Sequence, residues 1–480
     1  MPQVVGSGDP SPRPGLARVK AVHETYGLAD PRSLEEWMMK LVPDFRNGSR
    51  LWIAMVGILA IVLAACEQGE SPSTPASAGA SAGASEPVAD LEPIPMRIGA
   101  LVPQSGGLSG IVGALEEALR MGQEEINAVE DGLVTIDFAD DGTSDTTSAQ
   151  NVQQFLTGDH NAIIGPAASG NAVAVWDSVN TANMVMCSGT STGSAFSAEE
   201  YNPNHVRTAP SDDIQGPLLG NLILEDGYTN VAVIWQQTTY GEGFGQATAD
   251  SLEAAGATLA VAEGFDPTQT SFSDVAQEVV ASGAEAVAMI TYAEGAQMVL
   301  DLESAGFTGQ VYVADGFVDN VTVESVGGDA SLLEGIRGTY PAVAPSSGEA
   351  TFGDRFAAFA PAGTPTVFSA HMYDCLAALV LAAQVAQSAD PTVYVEEIIG
   401  VTRDGEKCSL IAECLDMVWA GTDIDYDGAS GPLDFSPNGE PAVGTYNVIQ
   451  YPEAAELTRR TEAGEGLTDN EDEIQGDLPS

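Results

Sequence analysis

The sequence predicts an α/β protein with two doubly wound lobes, and three observations support this fold class. Short apolar runs alternate with segments of helical periodicity from Arg97 to about Ala314, as in parallel sheets with helices on both faces. This alternation is longer than one such sheet needs, so two lobes are the natural division. A polar joint, RTAPSDDIQ at residues 207–215, separates the two sets of predicted strands.

The N-terminal region predicts an exported, lipid-anchored protein. Residues 1–50 are either a leader or an untranslated stretch before a later start, and residues 51–65 (LWIAMVGILAIVLAA) have the uncharged composition of a secretory signal. Leu63-Ala64-Ala65-Cys66 resembles a bacterial lipobox, in which the cysteine is lipidated; an uncleaved signal anchor is the alternative. Residues 66–95 contain SPSTPASAGASAGASEP, which predicts a flexible linker. We therefore expect the folded part outside the cytoplasm, tethered to the cell membrane through Cys66.

The charge balance restricts the possible partners. The chain has 69 acidic and 16 basic residues, a net charge of −53. Binding of nucleic acid through a basic patch is therefore not expected. An acid-rich, lysine-poor surface suits an exported protein in high salt, and improved solubility alone is the alternative. We expect a monomer, because no coiled-coil repeat is evident.

The elements follow in order from residue 96. Residues 97–102 (RIGALV) predict the first strand, and a Gly/Ser loop then leads into a helix with apolar residues three and four apart. Further strands are predicted at residues 133–138, 162–164, 184–187, 231–235, 257–262, 286–290 and 311–314. Later helices are predicted at residues 242–255, 272–282, 350–359 and 369–386. Residues 423–448 predict terminal strands with a turn at Pro437-Asn438-Gly439.

These elements divide into two lobes. Lobe I is expected to contain residues 96–210 and about 340–425, and lobe II residues 211–339 and about 426–452. Residues 453–480 are acidic and polar, which predicts a disordered tail.

Two neighbouring strands of lobe I end in loops of small polar residues. GPAASG (residues 165–170) follows one strand and SGTSTG (residues 188–193) follows the next. Because the carboxyl ends of parallel strands meet at one edge of a sheet, N–H groups and hydroxyls of both loops would suit a small anion such as a carboxylate. The alternative is two ordinary turns.

A colinear set of stretches carries a family resemblance. It includes IGALVPQSGGLSGIVG, DFADDGTSD, IIGPAASGNAVAV, MCSGTSTGSAFS, RTAPSDDIQG, TTYGEGFG, ITYAEGAQMVLDLESAGF and VADGF. With these stretches the chain resembles the type I periplasmic binding proteins, in the leucine/isoleucine/valine-binding branch. The resemblance implies two Rossmann-like lobes, three hinge crossings and a small ligand enclosed between the lobes. It also implies delivery of an amino acid to an ABC permease, without a cofactor or covalent chemistry.

The resemblance implies that the following residues contact the ligand: Ser169, Thr190, Thr192, Tyr240, Tyr292 and Asp315. The hydroxyl loops would hold the carboxylate, and Asp315 would pair with the ammonium group. The family usually has Glu at that position, so the shorter Asp could need a bridging water. Val112 stands where the family has a ligand-contacting aromatic residue, which leaves the choice of amino acid open. Helix capping, packing of the tyrosines and a turn role for Asp315 are the structural alternatives.

The remaining polar and sulfur-containing residues give smaller expectations. Cys408 and Cys414 predict a disulfide, whereas Cys187 and Cys375 could be free or bridged. Asp140-Asp141-Gly142 predicts a solvated turn and helix cap rather than a calcium loop, and no metal site is expected.

Two alternative functions follow from the same sequence. GTSTG at residues 189–193 matches the G-x-S-x-G nucleophile elbow of hydrolases, with Ser191 as the nucleophile. The residues after it do not predict the helix that an elbow needs, so ligand binding is favoured over catalysis. Among binding proteins, a receptor or sensor for urea, a short amide or an aromatic acid is the alternative to amino-acid capture.

Overall fold

The computed structural model describes residues 91–198, 204–343 and 351–479. The leader, the signal segment, Cys66 and the linker up to residue 90 lie outside the described residues.

Lobe I is built on a five-stranded parallel sheet with the order β2-β1-β3-β4-β5. Its strands are β1 (Met96–Val102), β2 (Val134–Asp140), β3 (Ala162–Ile164), β4 (Met186–Ser188) and β5 (His205–Arg207). The connecting helices are α1 (Val112–Val129), α2 (Asp145–Thr157) and α3 (Ser169–Thr181). The strand order reverses between β1 and β3, and this is where ligands bind in open α/β sheets.

Lobe II begins with α4 (Asp212–Glu225), whose N-terminus is capped by the Ser211 side chain. The elements that follow are β6 (Asn230–Gln236), α5 (Thr239–Ala254), β7 (Thr258–Phe265), α6 (Ser273–Ser282), β8 (Ala286–Ile290), α7 (Gly295–Ala305), β9 (Gln310–Val313) and β10 (Arg337–Pro341). Helices α6 and α7 end at glycines in the left-handed conformation, Gly283 and Gly306.

The chain then returns to lobe I. The elements of this return are α8 (Phe352–Phe359), α9 (Ser369–Ala386), α10 (Pro391–Tyr394), β11 (Glu406–Cys408), α11 (Ile411–Trp419), β12 (Ile424–Gly428) and β13 (Gly431–Pro432). Helix α9 is apolar and long enough to cross a membrane, but 89% of it is buried inside the protein, as expected for a core helix. It packs on α1, where Gly122 lets Leu376 and Tyr373 approach closely.

The last elements complete lobe II. Strands β14 (Val443–Gln450) and β15 (Asp469–Asp477) give a seven-stranded sheet with the order β15-β14-β10-β9-β8-β6-β7. Strands β6 to β10 are parallel, and β14 and β15 are antiparallel additions at one edge. The chain crosses between the lobes after β5, after β10 and after β13. The predicted two-lobe α/β fold is confirmed.

The predicted disordered tail is wrong. Residues 454–463 form helix α12 (Ala454–Ala463), anchored by the fully buried Leu457. Strand β15 then pairs with β14 along its length, and its acidic side chains meet Arg337 through Glu471 and Arg460 through Asp469. Acidic composition indicated disorder, but an existing sheet edge supplies backbone hydrogen bonds and two arginines balance part of the charge.

Candidate functional site

A small cavity lies between the lobes, at the carboxyl ends of both sheets. The loops after β1, β3 and β4 line it from lobe I, and the segments after β6, β8 and β9 line it from lobe II. Its lining residues are Leu108, Ile111, Ala167, Thr190, Thr192, Tyr240, Tyr292, Asp315, Gly316, Asn320 and Phe368. The cavity volume is about 20 Å³, close to the space of one water molecule, so the lobes are closed on each other.

On lobe I, the loop after β4 presents Thr190 and Thr192 to the cavity. The Ser188 hydroxyl accepts hydrogen bonds from the N–H groups of Thr190 (3.3 Å) and Ser191 (3.0 Å), which fixes the turn. The Thr190 hydroxyl donates to the Ala167 carbonyl at 2.9 Å and so joins this loop to the loop after β3. The two predicted hydroxyl loops therefore form one wall.

Ser169 stands behind this wall. It begins helix α3, is buried, and accepts a hydrogen bond from the Gly193 N–H at 3.1 Å. It is not among the residues that line the cavity. The structure therefore brings five of the predicted ligand residues together and places Ser169 where it positions the loop that carries Thr192.

A buried ion pair supports the same wall from inside lobe I. The Arg207 guanidinium donates to the Ser191 carbonyl at 3.2 Å and to the Gly193 carbonyl at 2.9 Å. Its charge is matched by Glu440, which follows the third crossing, and both side chains are 1% exposed. The loop thus depends on a residue more than two hundred positions away in the chain, a separation of 233.

Asp141 is buried, so the predicted solvated turn is wrong for this residue. Its carboxylate accepts hydrogen bonds from the Ala167 N–H at 2.8 Å and the Thr143 N–H at 2.7 Å. Burial raises the pKa of Asp141 to about 6, despite these two donors. It acts as a support for the cavity-lining loop at Ala167.

Disulfides complete the support of lobe I. Cys187, the residue before Ser188, is bonded to Cys375 in the core helix α9, which resolves the alternative that the sequence left open. The predicted Cys408–Cys414 bridge is also present. The Cys187–Cys375 bridge lies directly behind the loop after β4 (residues 188–193, the hydroxyl loop). This loop is therefore tied covalently to the core of its lobe.

Lobe II presents an acidic wall. Asp315 is 2% exposed, and its Oδ1 accepts hydrogen bonds from the Tyr240 hydroxyl at 2.5 Å and the Gly316 N–H at 2.7 Å. Its Oδ2 is buried without a hydrogen-bond partner among the described residues. Burial raises the pKa of Asp315 to about 6, although both donors act in the opposite direction. One acceptor of this carboxylate is therefore left for another group.

Asp212 adds a second buried carboxylate, which the sequence analysis missed. It is fully buried at the start of α4, and neither of its oxygens makes a hydrogen bond of good geometry to a described residue. Burial and the charge of Asp315 raise the pKa of Asp212 well above its usual range, while the nearby Thr192 hydroxyl acts to lower it. The sequence predicts only a joint at RTAPSDDIQ, and no local pattern there distinguishes Asp212 from an exposed acid.

The two tyrosines form the base of the acidic wall. The Tyr240 and Tyr292 rings stack with centroids 5.0 Å apart and an interplanar angle of 17°. Burial, followed by the charge of Asp315, raises the pKa of both phenols well above the usual value, so both remain neutral. A neutral phenol can donate to a carboxylate, as Tyr240 does.

The apolar part of the cavity differs from the expectation. Ile111 lines the cavity, whereas Val112, the position matched to the family's aromatic contact, does not. Leu108 and Phe368 complete this part, and Phe368 adopts a left-handed backbone conformation (φ 60°) just before α9. Such a conformation is uncommon for a bulky residue, and no sequence pattern indicated it.

Ser191 has the surroundings of a structural residue. Its hydroxyl donates to the carbonyls of Pro166 and Ala167, at 3.3 Å each. A short 3-10 turn, Ser194–Ser197, follows this loop in place of the helix that a nucleophile elbow needs. The described geometry therefore supports binding of a small molecule and not the hydrolase alternative.

The sequence profile of the family described as "Periplasmic binding protein" matches residues 95–456, which is most of the chain. The chain belongs to the periplasmic binding protein family. The matched residues include both walls of the cavity, and the family predicted from the sequence is confirmed.

Two curated relatives of this periplasmic binding protein are named for binding, and a third is uncharacterised. The chemotactic signal transduction system substrate-binding protein BasB of Halobacterium salinarum is 23% identical over 79% of this chain and 92% of its own length. A Leu/Ile/Val-binding protein homologue of Brucella abortus is 26% identical over 59% of this chain and 78% of its own length. The chain spans about half (51%) of an uncharacterised Methanocaldococcus jannaschii protein at 26% identity.

Solved structures share the fold. The leucine-binding protein LivK of Thermotoga maritima superposes with a TM-score of 0.65 at 19% identity, covering 79% of this chain and 98% of that one. A solute-binding protein of R. palustris in complex with 4-hydroxybenzoate gives a TM-score of 0.62 at 16% identity, covering 80% and 98%. At these identities the likeness establishes the two-lobe fold and leaves the ligand to be argued from the cavity.

Proposed function

We propose that this periplasmic binding protein captures a small amino acid of the branched-chain type between its lobes and delivers it to an ABC permease. The protein would work outside the cytoplasm, anchored to the membrane through a lipid on Cys66. Ligand contacts are assigned to Thr190, Thr192, Tyr240, Tyr292 and Asp315. Asp212 is not among the lining residues, and it adds buried negative charge near Asp315.

The observation that carries this proposal is the unmatched acid of lobe II. Asp315 Oδ2 and both oxygens of Asp212 are buried without a well-formed hydrogen bond to any residue that the structure describes, and the lining residues include no basic side chain. Buried carboxylates require a positive partner or a proton. An ammonium group supplies that partner, while the Thr190–Thr192 loop across the cavity offers polar groups to a carboxylate. A zwitterion satisfies both walls together.

The apolar lining supports an aliphatic side chain on the ligand. Leu108, Ile111 and Phe368 form this part of the cavity, and none of them can hydrogen-bond a polar side chain. The Brucella relative named for Leu, Ile and Val is in accord with this choice. Because the cavity holds about 20 Å³, entry of an amino acid requires the lobes to separate and close again around it.

The rival ligands fit the acidic wall less well. An aromatic acid, as in the R. palustris complex, would bring a second negative charge without an ammonium group. Urea and short amides could donate hydrogen bonds to Asp315 but would leave the buried charge uncompensated.

A role in sensing is the second candidate, favoured by the similarity to BasB over 79% of this chain. The same ligand site would serve a chemotaxis receptor instead of a permease. A strain that lacks the protein distinguishes the two roles. Loss of labelled amino-acid uptake indicates transport, whereas loss of movement toward the amino acid with uptake unchanged indicates sensing.

A thermal-shift screen tests the ligand class. The soluble form starting at Glu67 is heated with each of the twenty amino acids, urea, short amides and 4-hydroxybenzoate, at low and high salt. A ligand that binds only the folded state raises the melting temperature. A rise with Leu, Ile or Val supports the proposal; a rise only with another compound replaces the ligand; no rise in a folded protein removes the amino-acid assignment.

A further inference from the structure

A single side chain joins the acidic wall of lobe II to the first loop of lobe I. Asn320 is 8% exposed and lines the cavity. Its Oδ1 accepts a hydrogen bond from the Gly110 N–H of lobe I at 3.1 Å, and its Nδ2 donates to the Gly316 carbonyl at 3.1 Å. Gly316 in turn donates to Asp315. Asn320 therefore connects the backbone beside Asp315 directly to the opposite lobe.

The closeness of this contact requires glycine at position 110. A Cβ atom there would lie 2.4 Å from the Asp319 carbonyl oxygen and 2.8 Å from Asn320 Oδ1, both in lobe II. The clash involves backbone of the other lobe, so it cannot be relieved by turning a side chain. Gly110 does not have a positive φ, so its own conformation does not demand glycine. The requirement comes from the closed arrangement of the lobes alone.

A neighbouring glycine provides the contrast. The Gly107 carbonyl accepts a hydrogen bond from the Ala293 N–H of lobe II at 3.2 Å, so it is also an interlobe contact. A Cβ atom at position 107 would lie 3.6 Å from Tyr292 Cβ, which is ordinary van der Waals contact. Alanine is thus tolerated at 107 and excluded at 110 when the lobes are closed.

We propose that Asn320 is a positioning residue that couples ligand capture at Asp315 to lobe closure, through its hydrogen bond with Gly110. This rests on the proposed function, because Asp315 is taken as the ammonium partner. The short turn from Asp315 to Asn320 carries both the ligand contact and the interlobe contact. A ligand that orders this turn favours the closed state, and closure in turn favours the ligand.

The primary test compares Gly110→Ala with Gly107→Ala in the protein, using small-angle scattering and stopped-flow binding of leucine. Gly110→Ala is expected to enlarge the radius of gyration toward an open form. It is also expected to raise the dissociation rate about tenfold or more, with the association rate within about twofold. Gly107→Ala should match the wild type in all three. The melting temperature without ligand, which reports folding, should be similar for both variants.

Asn320→Ala and the double variant separate the interlobe contact from a direct ligand contact. Asn320→Ala should raise the dissociation rate as Gly110→Ala does, because the first removes the acceptor of the Gly110–Asn320 hydrogen bond and the second holds its two partners apart. If that bond is the cause, Gly110→Ala combined with Asn320→Ala should be little worse than either alone. Fully additive effects would assign Asn320 to direct ligand contact and overturn the coupling.

The small-angle scattering measurement needs no ligand, so failure of this inference is distinguishable from failure of the proposed function. If leucine and all other amino acids fail to bind, the ligand assignment is lost, and the coupling to capture is lost with it. The closure contact is then judged from the radius of gyration alone. If leucine binds and Gly110→Ala keeps the wild-type radius and dissociation rate, the proposed function stands and the coupling is overturned.

Discussion

The two walls of the cavity differ in how far their buried polar groups are hydrogen-bonded within the protein. On lobe I, the polar groups of the hydroxyl loop are largely satisfied within the protein: Thr190 donates to Ala167, and the Ser191 and Gly193 carbonyls accept from Arg207. On lobe II, Asp315 Oδ2 and both Asp212 oxygens are buried without a well-formed hydrogen bond within the described part of the chain. A satisfied wall is rigid and offers directed dipoles, whereas an unsatisfied charged wall gains most when a ligand arrives. We therefore expect stability to depend on lobe I and affinity to depend on lobe II.

The largest effect on stability is expected from Arg207→Gln. It leaves Glu440 buried without its charged partner and releases two carbonyls of the hydroxyl loop, which should lower the free energy of unfolding by about 3–5 kcal/mol. Chemical denaturation measures this change. Arg97→Gln is the matched control, because Arg97 pairs with Asp137 at the surface, and its midpoint should be unchanged. Equal effects of the two variants would refute the support role of Arg207.

The largest effect on affinity is expected from Asp315→Asn. The side chain keeps its shape but loses the charge that would hold the ammonium group, so ligand affinity should fall by about 2–5 kcal/mol. Calorimetric titration with the ligand identified by the screen measures the loss. Asp319→Asn is the control, since Asp319 lies in the same turn but does not line the cavity. If both variants bind as the wild type does, Asp315 is not a ligand contact.

How much the sequence could predict also differs between these regions. Strand β8 and helix α9 have the predicted bounds, because buried apolar runs of strand or helix length define themselves locally. Ligand positions in both walls came from ordered motifs, and Thr192 and Asp315 do reach one cavity. Ser169 does not, because a motif cannot show that its hydroxyl is already occupied by Gly193.

Contacts between distant segments account for the other differences. Glu440, the partner of Arg207, follows the third crossing, and no local sequence pattern connects the two residues. Burial of Asp141 and Asp212 results from segments that pack over them, which composition does not show. The order of β15 likewise depends on the free edge of β14. Tertiary pairing, in each case, overrides what the local sequence indicates.

The pH dependence of ligand affinity should distinguish the acidic wall of lobe II from the hydroxyl loop of lobe I, with an effect of intermediate size. Because the pKa of Asp315 in the folded protein is about 6, a proton competes with the ammonium group below that pH. Affinity should fall as the pH decreases through 6, by up to about tenfold per pH unit. Titrations from pH 4.5 to 8 test this, and a profile that stays flat in the wild type would contradict it. Asp315→Asn should flatten the profile.

Stability without ligand should change with pH in the opposite direction. The folded-state pKa of Asp315 lies above the ordinary value of 3.8, so its protonated form favours the folded state. This contribution is complete below about pH 4 and is lost as the pH rises through 6. Near pH 8, Asp315→Asn should therefore melt higher than the wild type in the absence of ligand, although it binds ligand less well. A lower melting temperature would show that the carboxylate is stabilised by partners not seen in its surroundings.

The smallest effect on affinity is expected from substitutions in the hydroxyl loop of lobe I alone. The Thr190 hydroxyl already donates to the Ala167 carbonyl, so Thr190→Val should weaken the fold and leave affinity within about twofold. Thr192 lines the cavity, and its hydroxyl interacts with the Asp212 carboxylate rather than with a backbone carbonyl among the described residues. Thr192→Val should cost about 0.5–1.5 kcal/mol of affinity, the value of one hydrogen bond. Calorimetry on both variants decides. A loss at Thr192 as large as that of Asp315→Asn would mean that the ligand's carboxylate contributes as much to binding as its ammonium group, and that the hydroxyl loop is not the satisfied wall that its hydrogen bonds indicate.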